Sequence, residues 1–213
     1  MEQAMNKTEV RRAELRETLV NLAEAQIVRG GMGSIKARDL AREAGCALGA
    51  IYNVFADLTE LVMAVNGRTF TRIGREVAGA VIGHETEPPE RRLVLLAHAY
   101  LHFAADNQHL WGALFDLELP EDDKVPDWYW SELKGLFGHI AIPVSELFPI
   151  LEGRDLDLMV RALFSSVHGI VLLGLQNRIA GVPRTNIEAM IEAVLMRLAG
   201  RDAINVNVVQ NNS

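Results

Sequence analysis

Cysteine is nearly missing from this chain: Cys46 is the only one in 213 residues. No intramolecular disulfide can form, and nothing points to an oxidising compartment. Strand signals are also nearly absent, with no convincing alternating run of apolar and polar residues. A basic excess is absent, with 21 Lys and Arg against 28 Asp and Glu and a net charge of −7. The chain as a whole is therefore not a polycation that coats nucleic acid or an anionic membrane. Long apolar runs are lacking too. The longest, "IVLLGLQ", falls short of the roughly 20 residues a bilayer span needs. The opening "MEQAMNKTEVRRAELRE" carries charges with no apolar stretch behind them, so no secretory signal is expected. These absences predict a cytoplasmic protein with no membrane partner. Catalytic signatures are missing as well: there is no Gly-rich phosphate loop, no G-x-S-x-G elbow and no Cys-His arrangement. Ser165, Ser166 and His168 are helix neighbours, which does not by itself build a nucleophile. Neither an enzyme nor a cofactor is expected.

What the chain has is helical periodicity and enough apolar material, 49% of residues, for a sizeable core. Leu15, Leu19, Leu22, Ala23 and Ile27 line one face of a first helix that Gly30-Gly31 ends. Short helices are predicted at about 36–44 and 48–54, and a longer one from Asp57, where Asp57-x-x-Glu60 has the form of a capping box. Pro88-Pro89 can open the next helix, about 89–106. The segment 128–150 is helical in pattern but contains Pro143, so a kink or a split is expected there. Helices at about 154–180 and 185–199 follow, and the tail 201–213 is expected to be poorly ordered. The prediction is an all-α fold with a head at 1–56, a body at 57–200 and that tail. Charge is uneven as well: residues 1–72 hold 10 Lys/Arg and 9 Asp/Glu, the remainder 11 and 19.

The stretch "LAREAGCALGAIYNVF", Leu40 to Phe55, breaks one short helix at Gly45 and starts another within a few residues. That is the sequence form of a helix-turn-helix, with Leu40, Ala41, Cys46, Ile51 and Phe55 directed inward. The outer face of the second helix would carry Ala47, Leu48, Gly49, Tyr52 and Asn53. Small residues with one phenol and one amide can approach a duplex closely: Tyr reaches phosphate and Asn reads an adenine edge. Arg38 adds a phosphate or guanine contact. The same spacing also fits an αα-corner inside a bundle, with Tyr52 at its rim.

Over roughly the 50 residues that run from the first helix to Leu61, the chain resembles the TetR family of bacterial transcriptional regulators. The family pattern runs roughly A-G-V-S-x-G-T-L-Y-x-H-F-x-S-K-E-E-L, and Gly45, Gly49, Tyr52, Phe55 and Leu61 match it in register. More weakly, "LFSSVHGIVLLGL" resembles a C-terminal domain type named for a Trp-His-Gly motif: His168-Gly169 stand here, with Val167 in place of Trp. The resemblance implies a homodimer that places two recognition helices in successive major grooves of a palindromic operator, and a body that holds a small-molecule effector. By family position Lys36, Arg38, Ala47, Leu48, Gly49, Tyr52 and Asn53 would face DNA. The chain departs from the pattern at Lys36-Ala37, where the family often has a capping Ser/Thr pair, and at Leu48 and Leu58, where many members carry Lys. Fewer phosphate contacts imply a shallower salt dependence of DNA binding.

In the body, residues 156–179 are apolar nearly all the way round, so that helix must be covered on opposite sides. A two-fold contact with a second copy is expected through Leu163, Val167, Ile170, Val171, Gly174, Met190, Ile191 and Val194, with Gly169 and Gly174 allowing close backbone approach. Phe103, Trp111, Phe115, Trp128 and Phe137, with His168 as a polar group, could wall an effector pocket; the same residues equally describe a core. His98-x-x-x-His102 sets two imidazoles on one helical face, a spacing metals use. A helical metal- or small-molecule-binding protein that never touches DNA is therefore the rival reading.

Overall fold

The computed structural model describes residues 6–117, 125–176 and 183–198. Helix α1 (Lys7–Gly30) opens on a capping box: Asn6 accepts from the Thr8 amide while Glu9 accepts from the Asn6 amide at 2.9 Å. It ends where expected. Gly31, at φ 71°, donates back to Ile27 at 2.8 Å and turns the chain into a 3-10 turn, Met32–Ser34. Helix α2 (Ala37–Glu43) and the five-residue α3 (Leu48–Tyr52) follow. Before α4 (Leu58–Ala80), Asp57 accepts from the Glu60 amide at 2.8 Å and Glu60 accepts from the Ala56 amide at 2.7 Å. Asp57→Ala is expected to destabilise the protein by about 1 kcal/mol in denaturant unfolding; an unchanged midpoint would show that Glu60 suffices alone.

Pro88 caps α5 (Pro89–Asp106), accepting from the Arg91 amide at 2.9 Å. Asn107 interrupts the run, its amide and side chain both donating to the Phe103 carbonyl, and α6 (Gln108–Asp116) restarts at once. Helix α7 (Asp127–Leu147) passes through Pro143 without splitting. Lying in the last turns, Pro143 removes only one ladder bond, and it is buried together with Val144. Helix α8 (Gly153–Leu175) and α9 (Ile187–Leu198) complete the described chain, the second after a 3-10 turn at Arg184–Asn186. No strand occurs among the described residues. The tail 201–213 and the predicted end of the 154–180 helix lie outside them.

Contacts gather the chain into two compact units, Met1–Arg75 with Phe103–Leu136, and Glu76–His102 with Phe137–Ser213. In the first, Leu19, Ala23 and Ile27 of α1 meet Leu40 of α2, Ile51 of α3, Phe55, Leu61 and Val65 of α4, and Leu110 of α6. Arg68 fastens α4 to α1 through Glu17 (2.6 Å), Asn21 (2.7 Å) and Glu24 (3.3 Å), and Arg72 adds a second bond to Glu24. In the second unit Val160, Leu163, Val167, Val171 and Leu175 of α8 are buried with Ile187, Ile191 and Leu195 of α9. A Cβ on Gly174 would come within 2.5 Å of Ile187 Cδ1, so this glycine is what lets α8 and α9 touch. By length and composition α8 is apolar enough to cross a membrane, with a mean hydropathy of 1.8 over its best 18-residue window. The short uninterrupted runs of the sequence hid this, because Ser, His and Gly punctuate the apolar residues without lowering the average much.

Candidate nucleic-acid interface

The helix-turn-helix is built by backbone chemistry. Gly45, at φ 65°, donates to Arg42 at 3.2 Å, and Cys46 donates to Ala41 at 3.0 Å. This bond pair closes α2 as a Schellman motif, a left-handed turn that glycine adopts without strain. Leu40, Ala41, Ile51 and Phe55 are all buried as the spacing predicts, and Cys46 is partly buried against them. The Arg16 guanidinium of α1 sits 5.0 Å over the Phe55 ring. The angle between α2 and α3 is therefore held from beneath by a packed apolar floor.

Above that floor, all seven residues expected at DNA are exposed: Lys36, Arg38, Ala47, Leu48, Gly49, Tyr52 and Asn53. Tyr52 keeps 50% of its surface and Leu48 41%. Among the described residues neither Lys36 nor Arg38 makes an ion pair, whereas Arg42 on the same helix is bound to Asp39 at 2.8 Å. Lys36 takes the cap position of α2 with no side-chain cap bond, as the missing Ser/Thr pair implies. A Cβ on Gly49 would meet nothing within 4 Å and its φ is ordinary, so the chain's own packing gives no reason for glycine there. Leu58, which replaces a family lysine, packs against the head core instead of facing outward.

The aromatic residues divide between the two units. Phe103 and Trp111 are core residues, at 2% and 4% exposure. Phe115 packs edge-on to Trp111 at 5.5 Å but is largely exposed. Trp128 lies over the backbone of Gly67, where a Cβ would come within 2.9 Å of its ring, and borders an open groove of about 380 Å³ with Arg16, Val20 and Arg68. In the other unit Phe137 meets Phe164 edge-on at 5.1 Å, and Phe164 stacks on His168 at 5.6 Å. His168 Nδ1 is 2.8 Å from the Tyr100 hydroxyl, and burial lowers the histidine's pKa, so the ring is neutral at pH 7. Phe137 and His168 are thus brought together through Phe164, a residue the sequence reading did not single out for the pocket.

Of the eight residues expected at a two-fold contact, Leu163, Val167, Val171, Gly174 and Ile191 are buried within the subunit, and Ile170 is half-buried. Met190 and Val194 remain outward, at 37% and 38%. The close approach expected of Gly174 is made inside the subunit, to Ile187, while a Cβ on Gly169 would meet nothing. Helical spacing assigns faces only relative to one another, and it did not say which side of α8 the subunit itself would use.

His98 and His102 face α9. His102 Nε2 lies 2.9 Å from Glu188 Oε1, a bond that lowers the Glu188 pKa, and His98 Nε2 lies 4.0 Å from Glu192 Oε1. Among the described residues no three His, Cys, Asp or Glu gather to hold a metal ion. His102 is thus spent on tying α5 to α9.

Residues 93–198 match the family model described as "Tetracyclin repressor-like, C-terminal domain". No curated protein matches the sequence. Among solved structures, the chain is similar in fold to RolR in complex with resorcinol, at 16% identity and a TM-score of 0.64, covering 90% of this chain and 96% of that one. It is likewise similar to the transcriptional regulator FadR from Bacillus subtilis in complex with stearoyl-CoA, at 18% identity and a TM-score of 0.61, covering 88% and 99%. A TetR-family transcriptional regulator from Streptomyces coelicolor aligns at 18% identity and a TM-score of 0.58, covering 86% and 81%. A body matching the family's C-terminal domain, joined to a head whose Gly45, Gly49, Tyr52 and Phe55 keep the family's register, makes this chain a member of the TetR family.

Proposed function

We propose that the chain is a dimeric transcriptional repressor that reads a palindromic operator through α3 and is released by a small apolar or aromatic effector bound in the body, residues 57–200. The observation that carries this reading is the face of α3. Gly49, Tyr52 and Asn53 are exposed at a helix fixed from beneath, and a Cβ on Gly49 would meet nothing. An unforced glycine costs a short helix up to about 1 kcal/mol relative to alanine. Close approach to a duplex gives it a purpose. Asn53 can then pair with an adenine edge and Tyr52 with phosphate, while Lys36 before α2 and Arg38 on it supply cations that make no ion pair among the described residues.

Dimerisation is supported by α8. Only 33% of its most apolar window is buried within the chain. Leu158, Ala162, Ser165, Gly169 and Leu173 recur at i, i+4, i+7, i+11 and i+15, a stripe of small residues between two leucines in which Gly169 is half-buried and the other four are exposed. With Met190 and Val194 of α9 they form the seam we assign to the two-fold contact, in place of the buried residues that helical spacing alone suggested. An effector that prefers the form unable to span both half-sites by a hundredfold supplies about 2.7 kcal/mol, enough for release.

The test is selection of duplexes from a random library by the purified protein, followed by gel shifts on the selected site. Asn53→Ala is expected to weaken binding by about 1–3 kcal/mol and to relax one base position. Gly49→Ala should weaken it too, while leaving the folded protein as stable or slightly more so. Full affinity in both variants would remove α3 as the reading face.

A further inference from the structure

The open groove of about 380 Å³ beside Trp128 lies wholly within the first unit, walled by α1, α4 and the start of α7. Its volume falls in the roughly 300–1,000 Å³ range of small-molecule sites. On the α4 wall, Gly67 lets the Trp128 ring rest against the backbone, since a Cβ there would come within 2.9 Å of ring atom Cζ3. The ring is placed by that contact, yet Trp128 keeps 43% of its surface. From α1, Arg16 lines the same groove, with its guanidinium set 5.0 Å over the Phe55 ring. Stacking occupies the flat face of a guanidinium and leaves its N–H edge able to take a carboxylate through two parallel bonds. Among the described residues Arg16 makes no ion pair. The other charged groups of the groove are already engaged. Arg68 donates to Glu17 at 2.6 Å and to Asn21 at 2.7 Å, and Glu132 shares the Thr71 hydroxyl with the Gly67 carbonyl, at 3.1 and 3.0 Å. An aromatic wall and one uncommitted cation remain for a ligand.

We infer that this groove binds a planar aromatic carboxylate, with its ring against Trp128 and its carboxylate on Arg16. The inference rests on the effector-responsive reading given above and narrows it, from an apolar or aromatic effector to an aromatic acid. A neutral aromatic gains the ring contact alone. A small anion without a ring gains the arginine alone, in a groove where Glu17 and Glu132 repel it. Arg16 also covers Phe55, part of the apolar floor that holds α2 and α3. An acid bound here therefore engages a side chain that touches the support of the reading head.

Benzoate and benzamide differ by a charge at nearly the same size and shape, and serve as probes for the full-length protein in titration calorimetry. Benzoate is expected to bind about tenfold more tightly than benzamide, the ratio that one bond to a charged group supplies. Arg16→Gln should bring benzoate down to the level of benzamide. Arg16 is exposed, so this variant keeps its fold, which the helical signal checks. Trp128→Ala should weaken both probes alike. Equal binding of the two probes by the unaltered protein, or no binding of benzoate, overturns the inference. So does a preference for benzoate that survives Arg16→Gln, because another cation then supplies it. Binding of both probes unchanged in Trp128→Ala overturns it as well, by placing the ring elsewhere. The selected duplex, assayed without probe, separates the two readings. Benzoate preference without DNA binding defeats the regulator and leaves the site, and DNA binding without benzoate preference does the reverse.

Discussion

Replacing Met190 and Val194 together by glutamate is expected to give a folded monomer that no longer holds operator DNA. Both side chains point outward from α9, at 37% and 38% exposure, so the isolated subunit scarcely feels the change; exposed substitutions away from special features stay within about 0.5 kcal/mol. In a dimer the same positions would bury carboxylates with no partner, at several kcal/mol each. A monomer then binds one half-site and forfeits the linkage between two, a loss of roughly 10²–10⁴ in apparent affinity. Sedimentation and gel shift read the two consequences separately, with circular dichroism reporting that the helices persist. A variant that sediments as the unaltered protein does would move the two-fold contact away from α9.

The second large effect lies under the reading head. Phe55→Ala is expected to destabilise the protein by about 3–5 kcal/mol, as truncation of a fully buried phenylalanine does. Phe55 is 1% exposed, in the cluster that joins α1, α2, α3 and α4, and its ring also carries the Arg16 guanidinium. Against a total stability of about 5–15 kcal/mol, such a loss can melt the head at physiological temperature. Denaturant unfolding followed by helical signal measures it. A cost below about 1 kcal/mol would mean that the site collapses around the missing ring and that α3 is not held by this floor.

The helix-turn-helix was legible because its determinants are local. Gly45 stops α2 through bonds reaching no further than Ala41, and Asp57 with Glu60 opens α4 within four residues. The alternation of buried and exposed positions through 40–55 follows from helical spacing once the turn is known. Other features were legible only in part. The aromatic residues of the body were open to view, but not which of them pack together: Phe164 joins Phe137 to His168.

By itself, the order of residues determined most of the helices and the exposed face of α3, since each depends on neighbours a few positions apart, though α6 and the Asn6 cap were not among the expectations. Tertiary structure alone decided which side of α8 the subunit spends on its own core, that Gly174 admits Ile187, that His102 bonds Glu188, and that Asn66 holds the Ala113 carbonyl. Those outcomes require groups up to about ninety positions apart to be brought together, and an apolar helix with two serviceable faces carries no local mark of which one the fold will take.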